Sequence, residues 1–212
     1  MKRYFITGTD TDCGKTYVTA KLVEFFNNAA AIKPIASGGS IIENQFVSYD
    51  AQYLQKYSDL PFDVINPWRF KLPVSPHIAS KEEGCTLSVN EIADYCLNIQ
   101  LKDIDLLFIE GAGGLMVPLT YNKTWIDFLN YSEIPVILVV GLKLGCINHA
   151  LLTATALNAY KIKCVGWIAN CVDPDMLAIP DNISTLTSLL NVPLLASIPY
   201  SETLFDVNLH LI

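Results

Sequence analysis

The sequence predicts an α/β fold, a mostly parallel sheet flanked by helices on both faces, and three observations carry that expectation. Short, β-rich apolar runs recur at Arg3–Thr7, Ala31–Ile35, Asp105–Ile109, Val136–Val140, Cys164–Ala169 and Leu194–Ile198. Helical patterns separate them, near residues 15–28, 49–57, 88–101, 124–131, 146–160 and 182–190. Strands alternating with helices of that length imply right-handed βαβ crossovers. Four of the runs are nearly uninterrupted hydrophobics, as strands buried on both faces require.

Composition bounds what such a domain can do. The 212 residues suit one domain spanning 1–212, and 51% hydrophobic against 17% charged residues supplies a large core and argues against disorder. A net charge of −7 and the absence of any Lys/Arg run speak against nucleic acid as a partner. The strand pattern begins at Lys2, leaving no room for a signal peptide, and the longest apolar stretch, Ile134–Leu142, is too short to span a membrane. Six scattered cysteines without metal-ligand spacing fit reduced thiols packed as small apolar residues in a cytoplasmic protein. The stretch 60–87 contains prolines and reads as irregular loops over one sheet edge.

In parallel sheets, ligands bind where loops leave the C-terminal strand ends. The unusual loops here, 8–16, 36–48, 111–123, 141–148 and 170–181, all follow strands. The first holds Gly8…Gly14-Lys15-Thr16 between a strand and a helix, the context that marks a P-loop domain of the NTPase type. Glycines let successive N–H groups point inward at a helix N-terminus, forming an anion nest. Lys15 would reach the β- and γ-phosphates of ATP, and the Thr16 hydroxyl would bind Mg²⁺. Five residues separate the two glycines where four are usual, and Thr9 holds the customary glycine position.

A P-loop enzyme also needs a strand ending in a carboxylate that helps hold the metal. Asp105–Ile109 ends in Glu110, and Gly111-Ala112-Gly113-Gly114 gives an adaptable backbone beside the phosphates. Asp50, opening a helix after the loop 36–48, is either a further Mg²⁺ contact or an acid that suits the helix dipole. Lys33 stands in an apolar strand; it either faces an anion near the phosphates or protects a sheet edge from aggregation. His77 and His149 read as hydrogen-bonded structural residues.

Together these segments resemble the dethiobiotin synthetase family. The likeness is carried by Tyr4–Thr16, Lys33-Pro34-Ile35-Ala36-Ser37-Gly38, Ser75-Pro76-His77-Ile78-Ala79, Glu110–Gly114, Pro135–Gly141, Lys143–Ala150 and Gly166–Asn170. The resemblance implies ATP-dependent closure of the ureido ring of dethiobiotin from 7,8-diaminononanoate and CO₂, in biotin biosynthesis. It implies that a substrate amine captures CO₂ as a carbamate, that ATP phosphorylates the carbamate, and that the neighbouring amine displaces phosphate.

By the same resemblance, Lys15 and Lys33 surround the carbamate and γ-phosphate, and Thr16, Asp50 and Glu110 bind magnesium. Asp12, Cys13, Gly14, Lys15, Thr16 and Tyr17 cradle the nucleotide's phosphates, with Gly111, Ala112 and Gly113 beside them. Asn170 reads the adenine edge with Cys171 next to it; Pro199, Tyr200 and Ser201 flank the base, and Asp206 stands where a ribose-contacting acid is usual. Thr11 and Ser37 contact the substrate. Leu144, Gly145, Cys146, Ile147 and Asn148 hold its carboxylate tail across a dimer interface, which implies a homodimer with composite sites. A switch ATPase of the partitioning or division-site type is the alternative, but such proteins carry an extra lysine near position 10, where this chain has Asp10. An amidotransferase-type ligase would need a glutaminase domain for which 212 residues leave no room.

After Ser201 only a short segment remains to enclose the base. Base selectivity is therefore expected to be weaker than in typical relatives, with kcat/KM values for ATP, GTP and CTP lying close together; a steep preference for ATP in that comparison rejects the expectation.

Overall fold

Tyr4 to Gly8 are buried in the first strand, β1 (Lys2–Gly8), and alternate residues feed the two faces of the sheet. The computed structural model describes residues 1–200, 205–206 and 208–212. After β1 the chain runs through α1 (Lys15–Phe25), β2 (Ala29–Ile32), β3 (Ile35–Ser37), β4 (Gly39–Ile42), β5 (Gln45–Ser48) and α2 (Tyr49–Gln55). Then come α3 (Phe62–Ile65), β6 (Trp68–Phe70), α4 (Pro76–Glu82), α5 (Val89–Asn98) and β7 (Leu106–Glu110). The rest is β8 (Pro118–Thr120), β9 (Lys123–Thr124), α6 (Trp125–Ser132), β10 (Val136–Leu142), α7 (Cys146–Ala159), β11 (Cys164–Cys171), α8 (Ile179–Leu189), β12 (Leu194–Ile198) and β13 (Phe205–Asp206), with a 3₁₀ turn at Leu209–Leu211.

The main sheet has the order β13-β12-β11-β10-β1-β7-β2, parallel throughout except for the antiparallel edge strand β13. The α/β expectation is met. β1 leads outward to β2 on one side, while β10, β11 and β12 extend the other side, so the strand order reverses beside β1. That is where an open parallel sheet forms its ligand crevice.

Phe5 packs on Trp125 and Phe128 of α6 at centroid distances of 5.1 and 5.2 Å, in a cluster shared with α5 and β7. Tyr4 and Ile6, pointing the other way, pack with Val18 and Leu22 of α1 and Phe108 of β7. Leu138, Val140 and Trp167 lie under α7 and α8. Local chemistry places α6: Asp127 accepts from Thr124 N at 2.8 Å while Thr124 accepts from Ile126 N, a capping box.

Three expectations need correction. The run Ala31–Ile35 is not one strand: β2 ends at Ile32 and β3 pairs with β6 instead. Pro34 has no N–H to give the ladder, and Lys33 N turns to Ile65 O at 2.8 Å. Residues 36–48 are not a plain loop but hold the hairpin β4–β5, whose turn residues Glu43 and Asn44 take φ of 48° and 67°. The stretch 60–87 is not irregular, since α3, β6 and α4 lie within it.

Asn66, fully buried, holds this rearrangement. Its amide donates to Lys33 O at 2.9 Å, Pro34 O at 3.2 Å and Trp68 O at 3.1 Å. Its oxygen accepts from Ser48 Oγ at 2.7 Å, and Ser48 in turn accepts from Ala51 N to cap α2. One side chain thus fixes the backbone of Lys33 and the helix that carries Asp50. Asn66→Ala strands several buried polar groups and is expected to cost about 2–3 kcal/mol, lowering Tm by roughly 4–12 °C; a melting curve superimposable on the wild type rejects the role.

Candidate active site

Four side chains converge at the C-terminal end of the sheet. Thr16 sits in the first turn of α1, Asp50 in the first turn of α2, Glu110 at the end of β7, and Lys33 one residue past β2. Lys33 Nζ lies 2.7 Å from Glu110 Oε1 and 2.7 Å from Asp50 Oδ2. The Thr16 hydroxyl lies between the same acids, 2.9 Å from Asp50 Oδ1 and 2.7 Å from Glu110 Oε1, and donates to one of them at a time. Glu110 is fully buried and Lys33 is 6% exposed. Of the two readings of Lys33, the edge-protecting lysine is excluded, because its ammonium is spent on the buried Glu110 carboxylate and the partly exposed one of Asp50.

Burial works against a charge on Lys33, but the carboxylates of Glu110 and Asp50 outweigh it and hold the ammonium well above the ordinary lysine range. Burial likewise pushes Asp50 up, while the charge and hydrogen bond of Lys33 and the hydroxyl of Thr16 draw it below the usual carboxylate range.

The phosphate loop runs alongside. Gly14 takes φ 81°, and a Cβ there would meet Asn170 Nδ2 at 2.1 Å, so both conformation and space demand glycine. Asn170 is buried and donates Nδ2 to Cys13 O at 2.9 Å, tying the loop to β11. The α1 N-terminus carries no side-chain cap and no first-turn acid, leaving its N–H groups available to an anion. Lys15 Nζ donates to the carbonyls of Asp10 and Thr11 at 2.8 and 3.1 Å, and a phosphate oxygen can draw that donor away.

A cleft of about 690 Å³ brings together Thr11, Asp12, Gly14, Lys15, Thr16, Lys33, Ser37, Asp50, Glu110, Ala112 and Gly113. Cys13 and Gly111 are buried behind it, and Tyr17 is half-buried in α1. Two buried atoms in the cleft's walls have no partner, Glu110 Oε2 and Ser37 Oγ, as groups that await a ligand do. Cys171, Pro199 and Tyr200 lie apart, at the ends of β11 and β12 on the Asn170 side. Ser201 is outside the described residues, and Asp206 is described only as backbone of β13. Leu144 to Asn148 form the turn into α7 and do not line the cleft; Leu144 is 97% exposed. Pro73, Val74, Ser75, Pro76 and Val117 also line the cleft and were not picked out as site residues. Their only signal is Ser75-Pro76, a proline in the first turn of α4.

A family model described as an AAA domain matches residues 2–207. An ATP-dependent dethiobiotin synthetase of Legionella pneumophila strain Philadelphia 1 is 60% identical over 207 residues, covering 98% of this chain and 98% of the relative. The chain belongs to the dethiobiotin synthetase family. The synthetase of Pseudoalteromonas translucida is 41% identical, over 95% of this chain and 92% of its own. Solved structures share the fold of this dethiobiotin synthetase family member at low identity. A ParA family ATPase from Chlorobium tepidum matches with TM-score 0.56 and 16% identity, covering 94% of this chain and 84% of that one. The septum site-determining protein MinD of Pyrococcus horikoshii, in complex with Mg-ADP, matches at 0.55 and 18%, covering 93% and 81%.

A carboxyl held low in the folded state contributes stability above its unfolded pKa, about 3.9 for Asp, and loses it as pH falls through the folded value. Urea midpoints are therefore expected to fall on acidification below about pH 4. Asp50→Asn should remove part of that slope, with Asp10 and Asp127, also held low, supplying the remainder; an unchanged slope refutes the assignment.

Proposed function

We propose that this chain closes the ureido ring of dethiobiotin from 7,8-diaminononanoate, CO₂ and ATP, as one cytoplasmic P-loop domain. Family membership makes it an ATP-dependent carbon–nitrogen ligase. The observation that carries the detailed reading is Lys33. A buried ammonium beside the phosphate loop, aimed into a cleft with an unpartnered Ser37 hydroxyl, suits an anionic substrate meeting a triphosphate.

One substrate amine adds to CO₂, forming a C–N bond and releasing a proton. The carbamate oxygen then takes the γ-phosphoryl group as its bond to ADP breaks, and the second amine attacks the carbamate carbon, expelling phosphate and losing a proton. Lys15 and Lys33 offset the repulsion between carbamate and triphosphate and hold them in line; positioning of this kind contributes about 7–11 kcal/mol in well-oriented systems. Thr16, Asp50 and Glu110 present hard oxygen donors, and the unpartnered Glu110 Oε2 is what a Mg²⁺ site requires. Mg²⁺ there would neutralise charge on the β- and γ-phosphates. The N–H groups of the Cys146 turn suit the substrate's carboxylate tail.

A homodimer with composite sites is part of the proposal. It is supported by Met116 and Leu152, both more than half exposed, which line one groove beside the phosphate loop. Burial of these two side chains against a second copy would remove apolar surface from water. The fold neighbours are ATPases of the partitioning and division-site type, but identities of 16–18% carry no activity.

Incubation with ATP, Mg²⁺, bicarbonate and 7,8-diaminononanoate should release ADP only when the diamine is present; hydrolysis at the full rate without it favours the switch ATPase. Lys15→Gln should abolish turnover. Lys33→Gln should lower kcat by about two orders of magnitude or more while nucleotide affinity stays within a few-fold; equal loss of nucleotide affinity in both variants contradicts a separate role for Lys33.

A further inference from the structure

Asp10, which the reaction scheme leaves unused, stands where two hydrogen-bond systems meet. Its carbonyl accepts from Lys15 Nζ at 2.8 Å, its Oδ1 from Thr11 N at 2.7 Å, and its Oδ2 from Lys143 Nζ at 2.8 Å. Lys143 immediately precedes the 144–148 turn into α7. The loop behind Asp10 is anchored to β10 by Thr9 N to Val139 O at 3.0 Å and Gly141 N to Thr9 Oγ1 at 3.4 Å. Beyond those anchors, the side-chain link between the phosphate loop and the turn among the described residues is Asp10 to Lys143.

The two charges depend on each other. The hydrogen bond from Lys143 leads the influences that hold Asp10 below the carboxylate range, and Asp10 holds Lys143 above the lysine range, with Asp12 adding to the negative field there. Both side chains are partly exposed, at 41% and 33%, and an exposed pair adds little to stability. What sets this pair apart is what it connects.

We infer that the Asp10–Lys143 pair couples nucleotide occupancy of the phosphate loop to the order of the 144–148 turn, and through it to affinity for the substrate's carboxylate tail. The inference rests on the assignment of that turn to the tail, made above. When a triphosphate enters, Lys15 exchanges the Asp10 and Thr11 carbonyls for phosphate oxygens. The Asp10 carboxylate then lies beside new negative charge and holds Lys143 more firmly. The turn behind Lys143 is ordered before the tail arrives, which lowers the entropy cost of binding. Linkage makes the effect reciprocal, so the tail also tightens the nucleotide. In a dimer with composite sites the turn serves the neighbouring subunit's substrate, and the pair carries occupancy from one active site to the other.

Calorimetric titration of 7,8-diaminononanoate, without bicarbonate, with and without a saturating Mg²⁺ complex of a non-hydrolysable ATP analogue, measures the coupling. The wild type should bind the diamine about five-fold or more tightly with nucleotide present. Lys143→Met should reduce that ratio to about one, and Lys143→Arg should retain it. Asp10→Asn, which keeps an acceptor for Thr11 N, should lose the coupling as Lys143→Met does, and the double variant should be no worse than either. An unchanged ratio in Lys143→Met, an equal weakening with and without nucleotide, or a wild-type ratio of one overturns the coupling. A wild type that binds nucleotide but not the diamine overturns the functional reading itself.

Discussion

An ammonium, two carboxylates and a hydroxyl meet at the floor of the cleft with separations of 2.7–2.9 Å, and the elements around them are arranged to keep them there. Desolvating such charges costs several kcal/mol per ion, and apolar residues of equal volume would often be at least as stable. The cluster is therefore a poor device for stability and a good one for chemistry. Each member is placed by a different kind of restraint. Glu110 ends a fully buried strand between β1 and β2. Asp50 lies in a helix first turn, where the dipole favours an acid. Lys33 hangs from a backbone bound by Ile65 and Asn66.

The phosphate loop is restrained more on one flank than on the other. Asn170 grips the Cys13 carbonyl from the sheet and occupies the space over Gly14, so the stretch that leads into α1 has little freedom. Toward Asp10 and Thr11, by contrast, the Asp10 carboxylate is held by Lys143, and the two carbonyls by Lys15, whose bonds a phosphate can draw away. Rigidity thus lies on the Gly14 side of the loop, and exchangeable contacts lie on its Asp10 side.

Much of this was legible in the sequence because it rests on local signals. Five of the six parallel strands follow from their apolar runs, and β12 coincides with the expected Leu194–Ile198. Lys15, Thr16, Glu110 and Asp50 stand at strand ends and helix starts, positions that periodicity and turn chemistry reveal. What stayed hidden depends on long-range partners. The break after Ile32 needs Asn66, more than thirty residues away, and an asparagine between Ile65 and Pro67 carries no mark of that task. The β4–β5 turn uses Glu43-Asn44 with both residues left-handed, whereas the recognisable signature for such a turn has glycine second. Asp10 and Lys143 are separated by 133 positions, and nothing in either neighbourhood announces the pair.

The protonation of Lys33 constrains the chemistry that the cluster can support. Its ammonium is held above the ordinary lysine range by Glu110 and Asp50, so at neutral pH it is a fixed cation and has no lone pair to serve as a base. Lys15 is likewise engaged as a donor, to the carbonyls of the loop. His77 is paired with Ser75 Oγ and His149 is exposed in α7, and neither lines the cleft. Lys15 and Lys33 face Asp12, Asp50 and Glu110 around the cleft, so the two ammonium charges are offset by carboxylates before ligands enter. Electrostatic positioning, rather than proton abstraction by a side chain, is then what these residues can supply. In the proposed ring closure the proton lost by the attacking amine must pass to the departing phosphate or to solvent, because the phosphate is the basic group that the reaction itself places next to that nitrogen.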